Sequence, residues 1–288
     1  MYTTLKEVTS RAEELNYTVG AFNAHNLEML PDMIRAAKEQ GSPIIIQTSI
    51  DTAKYIGHEN FVAVCKSMAT KEMVDVVLHL DHARNFEDIK EAIDKGYTSV
   101  MYDGSHLPLK ENIMKTRAVV EYAHKQGVSV EGELGTIGGT EEGIHVGEND
   151  KVYTDPKDAV EFVRSTKVDA LAVAIGTNHG QYKSKTEVNL PLLKEIDAAV
   201  DVPLVIHGGT GVNEHDIHEL INNGIRKFNV GTELLVAWTR KAKETFGETK
   251  ETKSLRHNVI PCNEAVKEIV KHKISIFMNV EDRTLVLK

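Results

Sequence analysis

Three histidines at the ends of apolar segments give the chain a candidate metal site. His82 follows the run VVLHLD, His207 follows PLVI, and His179 lies between them in GTNHG. Neutral imidazoles suit Zn²⁺, and three protein ligands leave a fourth position open for a substrate, as in catalytic zinc sites. Any one histidine is more often a surface or hydrogen-bonded core residue, but the coincidence of three predicts a zinc site.

Three carboxylates lie beside these histidines or follow neighbouring apolar runs. Asp81 directly precedes His82, and a carboxylate next to a metal can transfer a proton during catalysis. Asp103 and Glu133 follow the next two runs. They are predicted either to orient the metal ligands or to form an alternative metal position. His79 lies inside the same run as Asp81, where we expect it only to orient its neighbours.

Two glycine-rich segments, HGGTG at 207–211 and NVGT at 229–232, follow the last two apolar runs. Glycines let backbone N–H groups approach an anion closely, and the hydroxyls of Thr210 and Thr232 add donors. Tight turns explain most such segments, but the position beside a candidate zinc ligand favours a phosphate pocket. A metal that polarises a ketone and stabilises an enediolate, next to a phosphate pocket, suits a phosphorylated ketose as substrate.

Eight β-branched runs that alternate with helical segments must position these residues. This alternation predicts a parallel sheet, and eight units in about 250 residues favour an α/β fold of the (β/α)8 TIM barrel type over an open doubly wound sheet. No G-x-G-x-x-G follows the first run, which argues against dinucleotide binding. The predicted strands are 18–22, 43–47, 74–80, 98–102, 128–133, 169–175, 202–207 and 226–230, and the helices between them include 30–41, 85–96, 111–127, 155–166, 189–200 and 213–224.

All eight predicted strands end in polar residues. In a barrel of this type the functional groups lie at the carboxyl ends of the strands, so these residues should share one mouth. The ends carry Asn23; Gln47 and Ser49; Asp81 and His82; Asp103; Glu133; His179 and Gly180; His207, Gly208 and Gly209; and Asn229 and Thr232.

No linker divides the chain, so we expect a single domain over residues 1–288. Residues 233–288 should form a C-terminal helical extension that packs outside the barrel or against a neighbouring subunit. Residues 135–154 are the one long connection, with five glycines and four acidic residues. A lid or binding loop is favoured there over a disordered insertion.

The bulk composition excludes several classes of partner. The formal net charge is −9 at pH 7 and the isoelectric point is near 5.8, which argues against nucleic acid or an anionic membrane. No stretch approaches the roughly 18 apolar residues of a membrane span, and the amino terminus looks like an amphipathic helix without a signal peptide's apolar core. Cys65 and Cys262 lack metal-binding spacing and are expected to be reduced thiols. We therefore expect a cytoplasmic protein.

Six motifs resemble those of the class II, zinc-dependent ketose-bisphosphate aldolases, in the branch that contains fructose- and tagatose-bisphosphate aldolases. They are VVLHLDHA, GYTSVMYDGSHLPLKENI, VSVEGELGTIGG, VDALAVAIGTNHGQYK, PLVIHGGTG and KFNVGTE, in the family's order over most of residues 18–235. The resemblance implies reversible cleavage of a ketose 1,6-bisphosphate into dihydroxyacetone phosphate and an aldehyde. Fructose 1,6-bisphosphate, which yields glyceraldehyde 3-phosphate in glycolysis, is the default substrate; tagatose 1,6-bisphosphate or another phosphorylated ketose is the alternative.

The resemblance also implies roles for the matched residues. Asp81 matches the residue that exchanges a proton with the C4 hydroxyl. Glu141, or the adjacent Glu142, matches the acid that takes the C3 proton. The matched zinc ligands are His82, His179 and His207, with Asp103 and Glu133 as acids near the metal. In the matched dihydroxyacetone phosphate pocket, Asn229 and Ser49 hold the enediolate and phosphate ends. The residues of this pocket are Ser49, Gly180, Gly208, Gly209, Thr210, Asn229, Val230, Gly231 and Thr232.

The chain departs from the family at a few positions. Ala83 and Arg84 follow LDH where relatives commonly have glycine, and Gly231 stands where they carry Asn, Asp or Ala. Arg256 matches a residue that binds the distal phosphate across a dimer interface, but the Asp-Pro usually before it is missing. The resemblance further implies a Na⁺ or K⁺ ion near the phosphate, and a homodimer or homotetramer.

Two other classes of function compete with this interpretation. A Schiff-base aldolase needs a lysine at the barrel mouth, but no predicted strand ends in lysine, and Lys227 only begins the eighth. A non-catalytic accessory subunit would keep the fold without the chemistry, and the intact acids and histidines argue against it.

Overall fold

The computed structural model describes residues 1–141, 144–146, 152–180, 188–247 and 254–278, with only the backbone for 140, 141, 144–146 and 179. The strands in these ranges are β1 (Val19–Asn23), β2 (Ile44–Thr48), β3 (Val76–Ala83), β4 (Ser99–Tyr102), β5 (Ser129–Leu134), β6 (Gly138–Glu141), β7 (Ile144–Val146), β8 (Ala170–Val173), β9 (Asn178–His179), β10 (Leu204–Ile206) and β11 (Ile225–Val230). The helices are α1 (Leu5–Leu15), α2 (Leu30–Gln40), α3 (Ile50–Ile56), α4 (His58–Glu72), α5 (Phe86–Lys95), α6 (Leu109–His124), α7 (Pro156–Thr166), α8 (Leu190–Ala199), α9 (Glu214–Ile221), α10 (Thr232–Gly247) and α11 (Arg256–Phe277).

Eight of the strands form a closed parallel barrel in the order β1-β11-β10-β8-β5-β4-β3-β2. The first and last barrel strands close it, with Val19 opposite Lys227 and Phe22 opposite Val230. Each barrel strand overlaps one of the eight predicted runs, so the predicted (β/α)8 TIM barrel is confirmed. Closure brings all eight carboxyl ends to one mouth.

The helices cover the outside of the barrel with their apolar faces, which include the buried residues Met33, Ile89 and Leu193. The opening helix and the six helices predicted between strands are confirmed as α1, α2 and α5 to α9. Residues 50–72, to which no element was assigned from sequence, form α3 and α4. α2 and α5 end at Gly41 and Gly96, both in the left-handed conformation that commonly ends a helix.

The long connection after β5 contains part of a second, small sheet. β6 pairs antiparallel with β7 and parallel with β9, where Gly139 lies opposite His179. No strand was expected here, because the segment lacks apolar alternation. His179 therefore lies on this small sheet, beyond the barrel strand β8 that ends at Val173.

The two C-terminal helices α10 and α11 pack against each other, and α11 also lies against α2 on the outside of the barrel. Trp238 Nε1 donates to Asn263 Oδ1 at 3.0 Å, and Asn263 Nδ2 donates to the carbonyl of Glu28 at 2.9 Å. Packing outside the barrel was one of the two expectations for this extension. The single-domain boundary of 1–288 stays a prediction. Among the helices in the described ranges, none has the length and apolar character needed to span a membrane.

Candidate functional site

His82 and His207 meet at the barrel mouth, although 125 positions separate them in the chain. His82 Nε2 lies 2.8 Å from His207 Nδ1, and the two ring planes are 88° apart. His82 belongs to the end of β3 and His207 follows β10, so the barrel brings them together from distant strands. Two of the three predicted metal ligands are thus neighbours, while the side chain of His179 lies outside the described part of the structure.

The backbone at His82 is irregular in a way that serves the site. His82 has a φ of 45°, in the left-handed region that few residues other than glycine enter. The register between β3 and β4 shifts between Leu80 and Ala83. In a regular strand, adjacent side chains point to opposite faces, but here Asp81 and His82 both reach His207. Such strain is typical of functional sites.

Asp103 lies beside His82 and is held by several donors. Its Oδ2 lies 3.4 Å from His82 Nδ1 and accepts hydrogen bonds from Arg84 Nε and Nη2 at 3.0 and 2.8 Å. Ser105 N and Oγ donate to Oδ1 at 3.1 and 2.6 Å. Burial would raise the pKa of Asp103, but hydrogen bonding and charge from His82, together with Ser105 and Arg84, hold that pKa well below its usual range.

Two overlapping groups of three ligands could hold a metal ion within the described residues. One is Asp81, His82 and His207, and the other is His82, Asp103 and Glu133; in each, the ligand atoms lie within 4.8 Å of one another. Glu133 Oε2 is 3.8 Å from His82 Nδ1 and 3.7 Å from His207 Nδ1. Both acids predicted near the metal therefore join the histidine pair.

Asp81 is fixed at one carboxylate oxygen only. Asn23 Nδ2 and Gln47 Nε2 donate to Oδ2 at 3.2 and 2.9 Å, and Gln47 Nε2 also donates to Asn23 Oδ1 at 2.8 Å. Asp81 is 3% exposed, and its Oδ1 has no hydrogen-bond partner among the described residues. A carboxylate held in place with one oxygen unengaged is suited to exchange a proton with a substrate.

The two glycine-rich segments touch each other next to the histidine pair, because Gly209 N donates to the carbonyl of Asn229 at 3.3 Å. Gly208 has a φ of 67°, and a Cβ there would lie 2.2 Å from the carbonyl oxygen of Asn178. A Cβ on Gly209 would lie 2.0 Å from a ring carbon of Phe228. Side chains are therefore excluded at both positions, so the backbone of this segment packs closely against Asn178 and Phe228.

Asn229 adds a polar group to this cradle. Its side chain is buried at 6% exposure, and neither amide atom has a hydrogen-bond partner within the described ranges. Thr232 begins α10 directly after Gly231, and the first N–H groups of a helix favour an anion. The predicted phosphate segments Gly208–Thr210 and Asn229–Thr232 thus lie together at the mouth.

Three other predicted residues have no described contact with this cluster. Ser49 caps α3, with its Oγ accepting from Thr52 N at 3.2 Å. Arg256 is exposed at the start of α11 and donates from Nη1 to Ser254 Oγ at 3.0 Å. Only the backbone of Glu141 is described, on β6, and Glu142 lies outside the described residues.

A buried ion pair beneath the histidines was missed from sequence. Glu131 and Lys227 are both 0% exposed, and Lys227 Nζ lies 2.8 Å from Glu131 Oε2. Glu131 Oε1 lies 2.8 Å from His207 Nε2. The alternation in VEGE held a signal, because residues two apart on a strand face the same side and Glu133 was already a candidate. Lys227, expected only to begin the eighth strand, lies within β11 in the barrel interior.

Comparisons with known proteins agree with this geometry. The family model described as fructose-bisphosphate aldolase class II matches residues 3–282. Fructose-bisphosphate aldolases of Staphylococcus aureus and Staphylococcus epidermidis are each 41% identical to the chain, over 276 and 278 residues, covering 95% of this chain and 96% of theirs. The crystal structure of the YdjI aldolase from Escherichia coli K12 matches with a TM-score of 0.84 at 37% identity, covering 96% of this chain and 97% of that one. The chain therefore belongs to the class II fructose-bisphosphate aldolase family.

Proposed function

We propose that this aldolase uses zinc to cleave fructose 1,6-bisphosphate reversibly into dihydroxyacetone phosphate and glyceraldehyde 3-phosphate. The observation that carries the proposal is the pair of facing imidazole nitrogens, 2.8 Å apart, with acids around them. The substrate follows from the names of the staphylococcal relatives and from the phosphate cradle beside the histidines. Tagatose 1,6-bisphosphate or another phosphorylated ketose is the second candidate.

The contacts of the two histidines suit a bound cation. His82 turns Nδ1 toward Asp103, and His207 turns Nε2 toward Glu131. Burial opposes ionisation of Glu131, but Lys227 and His207 hold its pKa well below the usual range, as His82 does for Asp103. Each ionised carboxylate therefore takes an imidazole N–H as its donor. A neutral imidazole that donates to a carboxylate has a lone pair on its other nitrogen, so His82 Nε2 and His207 Nδ1 are both suited to bind one cation.

The chemistry of these donors fits Zn²⁺, which binds neutral imidazoles and carboxylates. We assign His82 and His207, together with His179 on sequence grounds, to hold it, with Asp103 and Glu133 beside them. Bound there, zinc supplies a Lewis acid that polarises the C2 ketone of the substrate.

The protein's own acids move the protons. Asp81 accepts the proton of the C4 hydroxyl at its unengaged Oδ1. The C3–C4 bond then breaks, C4 becomes the aldehyde carbon, and the electron pair stays on the dihydroxyacetone phosphate half. Glu141 or Glu142 returns a proton to C3, and takes it in the direction of synthesis.

The remaining assignments concern phosphate and assembly. Gly180, Gly208–Thr210, Asn229–Thr232 and Ser49 bind the phosphate of the dihydroxyacetone half, with a Na⁺ or K⁺ ion held by nearby carbonyls. Arg256 of a second copy binds the distal phosphate, which requires a homodimer or homotetramer. These assignments and a cytoplasmic location stay predictions.

Steady-state kinetics on the two ketose bisphosphates test the proposal. Purified protein should cleave fructose 1,6-bisphosphate with a higher kcat/KM than tagatose 1,6-bisphosphate. Activity should disappear after chelator treatment and return when Zn²⁺ is added back. A preference for tagatose 1,6-bisphosphate would change the assigned substrate and leave the proposed mechanism unchanged. Inactivity on both sugars with zinc bound would favour the accessory subunit.

A second experiment on the purified protein distinguishes the zinc mechanism from a Schiff-base mechanism. A Schiff-base lysine must be a neutral amine that reaches the substrate, whereas Lys227 is fully buried in an ion pair with Glu131. Borohydride treatment in the presence of substrate should therefore leave no covalent adduct. A trapped adduct would assign the reaction to a lysine.

A further inference from the structure

Glu131 is a fully buried acid that the proposed reaction does not use directly. Its two oxygens serve different partners. Oε1 lies 2.8 Å from His207 Nε2, and Oε2 lies 2.8 Å from Lys227 Nζ and 3.6 Å from His79 Nε2. All four side chains are 0% exposed. His79 Nδ1 in turn lies 2.7 Å from Ser99 Oγ, so the network occupies the barrel interior below the metal-ligand pair.

Stability alone does not account for this ion pair. Removing two charges from water is costly, and well-packed apolar residues in place of a buried pair are often neutral or stabilising. A barrel interior normally consists of branched apolar side chains. A charged pair at this position therefore calls for a role that apolar side chains cannot fill.

We infer that Glu131 is a positioning residue that holds His207 with its proton on Nε2, so that the Nδ1 lone pair faces the metal. The inference rests on the proposed zinc site. A neutral imidazole has one N–H and one lone pair, and an acceptor at one nitrogen decides which is which. Acceptors of this kind behind metal-bound histidines also fix the orientation of the ring.

Lys227 makes the arrangement unambiguous. A lysine ammonium has three donors and no acceptor, and Lys227 Nζ lies 2.8 Å from Oε2 of Glu131. Oε1 then remains as an acceptor for the N–H of His207.

Two double variants separate this role from a structural one. Glu131→Gln with Lys227→Met removes both charges but keeps an amide oxygen that can accept from His207. Glu131→Met with Lys227→Met also removes both charges and offers no such acceptor. Zinc affinity is measured by chelator competition, and stability by urea unfolding of the metal-free proteins. The tautomer of His207 is read from ¹⁵N histidine spectra, with the signal assigned by its absence in His207→Ala.

The two variants should unfold at similar urea concentrations, yet the methionine variant should bind zinc roughly 10- to 100-fold more weakly than the glutamine variant, the range for outer partners of metal ligands. Metal-free wild type should show His207 protonated at Nε2. Equal zinc affinity in the two variants, or a wild-type His207 protonated at Nδ1, would overturn the inference. The wild-type spectrum tests the tautomer of His207 even if one of the variants does not fold.

Failure of the proposed function would look different. If His207→Ala bound zinc as tightly as wild type, the zinc site itself would be misassigned. If His207→Ala bound zinc weakly while the two double variants bound it equally, only the role of Glu131 would fall.

Discussion

The barrel contains two clusters built from the same three kinds of side chain, a carboxylate, a histidine and a lysine. The outer cluster lies at the amino end of β8, where Asp169 Oδ2 accepts from Val130 N at 2.9 Å and lies 2.8 Å from His124 Nε2. Lys6 Nζ lies 3.4 Å from Asp169 Oδ1. The inner cluster comprises Glu131, His207 and Lys227.

The two clusters differ in their contact with water. In the outer cluster the side chains of His124 and Lys6 are 39% and 69% exposed, so solvent screens the charges and only the carboxylate is buried. In the inner cluster all three side chains are 0% exposed. Every charge there depends on its protein partner, since no water replaces a lost contact.

This difference separates structural from functional roles better than residue type does. The outer acid ties α1, α6 and β5 together through the groups it accepts from, and residues at the amino face of a barrel serve stability. The inner acid faces a histidine whose other nitrogen points at a second histidine. Burial, rather than the presence of an acid, histidine and lysine, distinguishes the cluster that lies behind the candidate metal site.

The largest expected difference between the clusters is in stability when the lysine is removed. Lys227→Met leaves Glu131 as an uncompensated buried charge and should lower the free energy of unfolding by about 3–5 kcal/mol. Lys6→Met should cost less than about 1 kcal/mol, because that lysine is exposed. Urea unfolding of the metal-free proteins measures both. Equal losses would show that burial does not distinguish the two lysines.

Removal of each histidine should separate the clusters by zinc binding. His207→Ala deletes a proposed metal ligand, so zinc affinity should fall by more than about 10²-fold, beyond the loss of an outer partner, and activity should fall with it. His124→Ala should leave both unchanged. Chelator competition and metal analysis give the affinities and occupancies. Unchanged zinc content in His207→Ala would remove that residue from the site.

Removal of the acid Asp81 should have the smallest effect on zinc content, but it should clearly lower kcat. Asp81→Ala should keep its zinc nearly intact and lose on the order of 10²-fold in kcat, the usual contribution of a proton-transfer group. Asp169→Asn is the matched control, because an amide oxygen can still accept from Val130 N, and it should retain wild-type kcat. Complete loss of zinc from Asp81→Ala would instead make Asp81 a metal ligand.

Local patterns in the sequence were sufficient for the architecture. Alternating β-branched runs and helical segments predicted eight strands, and the polar residues at the strand ends predicted a mouth. Both patterns can be recognised in the sequence because each strand or helix has its own periodicity and its own residues that end it. The strands β6, β7 and β9 were not predicted, because these short segments have no apolar alternation.

The choice of side-chain types at His82, His207 and Asp81 was also made by the sequence, because their chemistry is fixed by residue identity. Their meeting was decided by tertiary structure: barrel closure joins positions that are 125 residues apart, and a left-handed residue with a register shift places adjacent side chains in one cluster. Glu131 and Lys227 show the same limit. The alternation in VEGE placed Glu131 on the same face as Glu133, but only the pairing of inward faces across the barrel makes Glu131 and Lys227 a buried ion pair behind His207.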